Sequence, residues 1–129
     1  MINATIANTA PFIGINYKNK LITSKLIGNY QFENIMLSVC IGDYFNISLQ
    51  NIKQAIEEYT PDNNRSQMIK TANNKLILDA YNANPSSMSA MLCSFAEQEY
   101  KNKLCVLGDM LELGDYAKNE HAKIVNLCK

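Results

Sequence analysis

Two stretches of this 129-residue chain gather side chains that could do chemistry. In the first, an apolar run from Leu76 to Leu78 stops at Asp79 and is followed by Ala80-Tyr81-Asn82-Ala83-Asn84-Pro85-Ser86-Ser87. An aspartate at the end of a strand can accept hydrogen bonds from sugar hydroxyls, and the asparagine carboxamides offer donors and acceptors together. A helix beginning near Pro85 would point free N–H groups at a phosphate or carboxylate. Together these are the parts of a nucleotide or polar-substrate site. The same residues also fit a plainer reading, with Asn84 or Ser86 as a helix N-cap, Pro85 in its first turn and Asp79 as a strand-end turn residue. The second stretch, Leu107-Gly108-Asp109-Met110-Leu111-Glu112-Leu113-Gly114, repeats the situation, with an acidic loop after a short apolar run.

The elements that would position these groups follow from hydrophobic spacing. Phe12 to Tyr17 and Leu21 to Ile27 are short apolar-rich runs around Lys18-Asn19-Lys20, which predicts a hairpin. Phe32, Ile35, Met36, Val39 and Cys40 recur at helical spacing, with Gly42 expected to close the helix. A second helix is predicted with Ser48 as its cap, Ile52, Ala55, Ile56 and Tyr59 on its inner face, and Pro61 as its end. Asp62-Asn63-Asn64-Arg65-Ser66 is polar and turn-forming, and reads as a boundary or hinge. Beyond it, Met68 to Thr71 and Lys75 to Ala80 read as strands around an Ala72-Asn73-Asn74 turn. Met88, Met91, Leu92 and Phe95 mark a helix, Leu104 to Leu107 a fully apolar strand, and Ala117, Ile124, Val125 and Cys128 a last helix. Strands alternating with helices imply an α/β fold with parallel βαβ units. In such sheets ligands sit beyond the carboxyl ends of the strands, where both polar loops fall.

Twelve basic and twelve acidic side chains cancel. That argues against long-range attraction to nucleic acid or an anionic membrane, so an anion must be held by local geometry. The N-terminus lacks the features of a signal peptide and no run is long enough to span a membrane, so the chain reads as cytoplasmic. Cys40, Cys93, Cys105 and Cys128 are widely spaced among apolar neighbours, and His121 is the single histidine. Buried free thiols are expected, rather than a disulfide framework or a metal site.

The two motifs, taken with His121, closely resemble the Mur ligase family, within it the members that join D-alanyl-D-alanine to a UDP-N-acetylmuramoyl-tripeptide. Upstream, Gly28-Asn29-Tyr30-Gln31-Phe32-Glu33-Asn34 is similar to that family's Gly-x-His-Asn-x-x-Asn helix start, and Asn64-Arg65-Ser66 to its domain-junction arginine. The resemblance implies an ATP-dependent acid–amino-acid ligase of peptidoglycan synthesis working through an acyl phosphate. It implies that residues 1–63 are the C-terminal part of a central ATP-binding domain, here a hairpin plus two helices. Residues 64–129 would be the N-terminal, βαβα half of a Rossmann-like C-terminal ligase domain.

By the same resemblance, Asn34 would contact the adenine, Arg65 the phosphates and Asp79 the ribose hydroxyls. Tyr81, Asn82, Asn84, Asp109, Glu112 and His121 would line the amino-substrate side. Tyr30-Gln31 stands where the family has His-Asn. No Gly-x-x-x-x-Gly-Lys-[Ser/Thr] loop occurs in the chain, so the phosphate loop and the Mg2+ ligands would belong to sequence upstream. No catalytic or metal-ligating residue is therefore assigned here. The chain is expected to be a monomeric fragment, inactive alone; the competing expectation is a small non-catalytic α/β module that binds a nucleotide or peptide.

Overall fold

The computed structural model describes residues 3–129. The chain is a mixed α/β protein whose contacts divide it into two compact units, Met1–Asp79 and Ala80–Lys129.

The first unit begins with an antiparallel sheet of β1 (Ala4–Asn8), β2 (Gly14–Tyr17) and β3 (Lys20–Thr23) in the order β1-β2-β3. The predicted hairpin is β2–β3: Tyr17 pairs with Lys20 across a two-residue turn in which Lys18 (φ 46°) and Asn19 (φ 60°) are both left-handed. Such a turn matches the twist of the flanking strands. Alternation along β2 puts Ile15 and Tyr17 inside and Asn16 outside. β1 was not legible in the sequence because Ala4–Asn8 is an edge strand with four of its five residues exposed, which leaves no apolar alternation to read.

Two helices cover this sheet. α1 (Gln31–Tyr44) and α2 (Leu49–Glu58) bury Ile35, Val39 and Ile52 against Ile13, Ile15, Tyr17 and Ile22, with Phe32, Met36 and Ile56 packed at the margin. Burying each such side chain stabilises by about 1.5–3 kcal/mol. Ser48 caps α2 as predicted, its hydroxyl accepting from the Asn51 N–H at 3.2 Å. Three expectations fail, one of them for Ala55, which was expected on the inner face of α2 and is exposed. Gly42 does not close α1, which runs on to Tyr44; it lies against Ile52, and a Cβ there would come within 2.8 Å of the Ile52 side chain. Glycine at that position lets α2 approach closely. Tyr59 is exposed because α2 ends at Glu58 and the tyrosine follows the last helical turn.

α2 is also tied to β3 by polar straps. The Lys53 ammonium donates to the Leu21 carbonyl and to Glu57, and Glu57 accepts from the Thr23 N–H at 3.0 Å and hydroxyl at 2.9 Å. These contacts hold the Glu57 carboxyl below its ordinary range, the Lys53 hydrogen bond being the largest cause and the Thr23 N–H the next.

The unit ends in a second antiparallel hairpin, β4 (Gln67–Lys70) with β5 (Lys75–Leu78), closed by the Thr71 N–H donating to the Asn74 carbonyl at 2.8 Å.

The second unit contains α3 (Pro85–Glu97), a single 3-10 turn at Gly114–Tyr116 and α4 (Ala117–Leu127). Met88, Met91, Leu92 and Phe95 lie on α3 as predicted, all half-buried. On α4, Ile124 is buried but Val125 is exposed, and Cys128 falls just past the helix end. The apolar run Leu104 to Leu107 lies where a strand was expected but joins no ladder among the described residues, and Leu104 and Val106 are 83% and 90% exposed. A strand needs a hydrogen-bonded neighbour, and apolar composition alone does not supply one. All three strand pairings among the described residues are antiparallel, so the parallel pairing inferred from strand–helix alternation is not formed there. The cysteines are free thiols, but only Cys40 is even half-buried: Cys93, Cys105 and Cys128 are exposed, contrary to the expectation of buried thiols. Apolar neighbours in sequence lie on other faces of a helix or in unpaired chain, so they do not enclose the thiol.

Candidate functional site

In the first unit, side chains from three separate places meet around Ser66. Asp79 follows directly on β5, Tyr30 and Gln31 open α1, and Ser66 leads into β4. One carboxylate oxygen of Asp79, Oδ1, accepts from the Ser66 N–H at 2.9 Å and lies 3.4 Å from the Ser66 hydroxyl. The same hydroxyl lies 2.8 Å from the Tyr30 hydroxyl and 3.5 Å from Gln31 Nε2. Gln31 Oε1 in turn accepts from Asn34 Nδ2 at 2.8 Å. A continuous polar chain therefore runs Asn34, Gln31, Ser66, Asp79, with Tyr30 joined at Ser66.

This chain unites two residues that the sequence singled out, Asn34 and Asp79, and Arg65 precedes Ser66 directly. The Asp79 side chain is at the surface, and both of its contacts with Ser66 fall on Oδ1, not on the second oxygen, Oδ2. An exposed carboxylate oriented through one oxygen suits a vicinal diol. Burial pushes the Tyr30 hydroxyl above its ordinary range and the Asp79 charge adds to the rise, against an opposing effect of the Ser66 hydrogen bond. Tyr30 is thus held neutral.

Ser66 and Tyr30 were not anticipated as site residues. Ser66 read as one polar residue of a hinge, yet it is 1% exposed and sits in the left-handed region at φ 52°. Serine carries no sequence signal for that conformation, and a contact spanning 36 residues to Tyr30 has no local pattern.

In the second unit the predicted residues divide. Asn84 is the N-cap of α3, its Oδ1 accepting from the Ser87 N–H at 2.9 Å and the Ser86 hydroxyl at 2.8 Å, with Pro85 in the first turn. The plainer alternative thus describes its oxygen, which is already engaged. Asn82 Oδ1 accepts from the Ala83 N–H at 2.9 Å, while Tyr81 is exposed.

His121 reaches from α4 to the acidic loop. Its Nε2 accepts from the Met110 N–H at 3.0 Å, which places the ring proton on Nδ1, where it meets the Ala117 carbonyl at 2.7 Å. Asp109 Oδ1 lies 3.8 Å from Nε2, but in that tautomer both atoms are acceptors and no ion pair forms. His121 fixes the loop beside Asp109 and Met110. Glu112 is exposed at φ 63°, close to Gly114 at φ 52°, so two left-handed residues turn this loop.

Among the described residues, no three His, Cys, Asp or Glu side chains converge where they could hold a metal ion. This donor set does not fit a Mg2+ site.

Residues 64–129 match the family described as Mur ligase, glutamate ligase domain. The chain belongs to the Mur ligase family. It is 36% identical over 98 residues to the UDP-N-acetylmuramoyl-tripeptide–D-alanyl-D-alanine ligase of Bacillus subtilis, covering 74% of this chain and 21% of that protein. The protein of the same name from Treponema pallidum is 32% identical over 108 residues, covering 84% of this chain and 23% of its own length. The chain therefore spans between a fifth and a quarter of these Mur ligase relatives. A crystal structure of MurF from Acinetobacter baumannii superposes with a TM-score of 0.80 at 27% identity, over 98% of this chain and 29% of that one. MurF from Thermotoga maritima in complex with ADP shares the fold, with a TM-score of 0.75 at 18% identity over 96% of this chain and 30% of that one.

Proposed function

We propose that this Mur ligase segment forms part of an ATP-dependent amide ligase that adds D-alanyl-D-alanine to a UDP-N-acetylmuramoyl-tripeptide in peptidoglycan synthesis. Residues 1–63 supply the end of the ATP-binding domain and residues 64–129 the start of the ligase domain. The family match beginning at residue 64 supports that boundary.

The chemistry follows from the substrates. A carboxylate is a poor acyl donor because its leaving group would be oxide. Transfer of the ATP γ-phosphoryl group to the tripeptide carboxylate gives an acyl phosphate and ADP. The dipeptide amine then attacks the acyl carbon and phosphate leaves, forming the amide. The protein's task is to hold the reactants in line and to stabilise phosphate charge.

In this reading Asp79 binds the ribose hydroxyls through Oδ2, Asn34 contacts the adenine through the amide oxygen that Gln31 leaves free, and Arg65 meets the phosphates, for which its planar fork is suited. Tyr81, Asn82, Asn84, Asp109, Glu112 and His121 belong to the amino-substrate side, where His121 acts by fixing the loop. The phosphate loop and the magnesium ligands lie in other parts of the parent enzyme, so the segment alone is inactive.

The observation that carries this reading is the surface carboxylate of Asp79, held through Oδ1 by the Ser66 N–H, in one polar chain with Asn34. Asp79→Ala in the full-length parent is expected to raise KM for ATP about 10- to 100-fold, the loss of hydrogen bonds to a charged acceptor, with KM for the dipeptide changed less than about 2-fold. Equal effects on both substrates would remove the ribose contact from the account.

A further inference from the structure

Ser66 has the least exposed side chain of the polar cluster and the only left-handed backbone in it, at φ 52°. A non-glycine residue held there costs about 1 kcal/mol or more. That conformation accompanies the alignment of its N–H on Asp79 Oδ1 at 2.9 Å.

We propose that Tyr30 and Ser66 are positioning residues that hold the Asp79 carboxylate in one rotation, so that Oδ2 is preset to accept the ribose hydroxyls of ATP. The proposal rests on the nucleotide reading of Asp79 given above. The direction of the bonds follows from donor capacity. A carboxylate only accepts, so the single Ser66 hydroxyl proton points to Asp79 Oδ1. Ser66 Oγ must then accept, and the Tyr30 hydroxyl at 2.8 Å is its near donor, with Gln31 Nε2 more distant at 3.5 Å. Tyr30 thus reaches Asp79 through one intervening oxygen. A surface aspartate without this support would rotate freely and would have to be ordered on each binding event.

A residue that acts only through the ribose hydroxyls has a distinctive signature. In the full-length parent, Tyr30→Phe is expected to raise KM for ATP about 3- to 10-fold, the range for one hydrogen bond of moderate strength. KM for 2′,3′-dideoxy-ATP and kcat should be unchanged within about 2-fold. Ser66→Gly keeps the left-handed backbone accessible and removes the hydroxyl; it should show the same selective loss, and Tyr30→Phe added to it should cost little more, because the two act in series.

Asp79→Ala, measured beside them, separates the two ideas. If it weakens ATP and dideoxy-ATP equally, the ribose reading fails and the relay with it. If Asp79→Ala is selective for ATP while Tyr30→Phe and Ser66→Gly leave the ratio of the two KM values unaltered, or raise both alike, the relay alone is overturned. Should Tyr30→Phe not fold, the Ser66→Gly ratio decides by itself.

Discussion

The two units differ in what holds their functional residues in place. In the first, Asp79, Ser66, Gln31 and Asn34 belong to a unit whose centre is a closed apolar core of Ile13, Ile15, Tyr17, Ile22, Ile35, Val39 and Ile52. In the second, the buried residues are Ser94, Gln98, Met110 and Ile124, while Leu104, Val106 and Leu111 are largely exposed. The loop at Met110, next to Asp109, and the residue Asn84 are therefore held by short-range polar devices, the His121 bridge and the α3 cap. A polar group supported by packed side chains keeps its geometry as cheaply as the core keeps its own. One supported by a few exposed hydrogen bonds opens locally at lower free energy.

The largest expected effect follows directly. Ile15→Ala should destabilise the first unit by about 2–4 kcal/mol through lost burial and the cavity left behind, whereas Val106→Ala should change stability by less than about 0.5 kcal/mol. Chemical denaturation followed by circular dichroism measures both; comparable losses would erase the contrast between the units. At the next scale, His121→Ala removes the acceptor for the Met110 N–H and the donor to the Ala117 carbonyl. The Met110 amide should then exchange with solvent about 5- to 30-fold faster, on the basis of roughly 1–2 kcal/mol of local opening, with amides of β2 unchanged. An unaltered Met110 rate would mean that the loop is held by something other than this histidine.

The smallest effect concerns pH. Glu57 has its carboxyl lowered from the ordinary value of 4.5, first by Lys53 and then by Thr23. A depressed folded pKa contributes stability that is present above the unfolded value and fades as pH falls through the folded one. Glu57→Gln should therefore cost less than about 1 kcal/mol near neutral pH, a partly exposed pair being screened. Its difference from the native chain should shrink below about pH 4. A difference that grows on acidification would reverse the assignment.

Much of the first unit was readable because local and global signals agree there. Lys18-Asn19 supplies the left-handed turn that β2 and β3 need, Ser48 caps α2, and the spacing from Phe32 to Val39 gives the inner face of α1. The helices of the second unit were readable for the same reason, with Asn84 and Pro85 marking the start of α3. What escaped depended on partners distant in sequence. β1 exists through its pairing with β2, Gly42 is explained only by Ile52, and Leu104 to Leu107 is apolar without a ladder. Of the site, Asp79 and Asn34 were visible as residue types at the right places. Ser66 and Tyr30, which connect to them, were not, because burial and a left-handed φ at a serine leave no mark on composition or spacing.

The most direct test is a crystal structure of the full-length parent with ADP bound. The account predicts Asp79 Oδ2 within about 2.5–3.0 Å of a ribose hydroxyl, the range of an O–H···O bond, with Oδ1 still accepting from the Ser66 N–H. A ribose whose hydroxyls lie beyond hydrogen-bond reach of Asp79, or are held instead by the Asp109 to Glu112 loop, would contradict it.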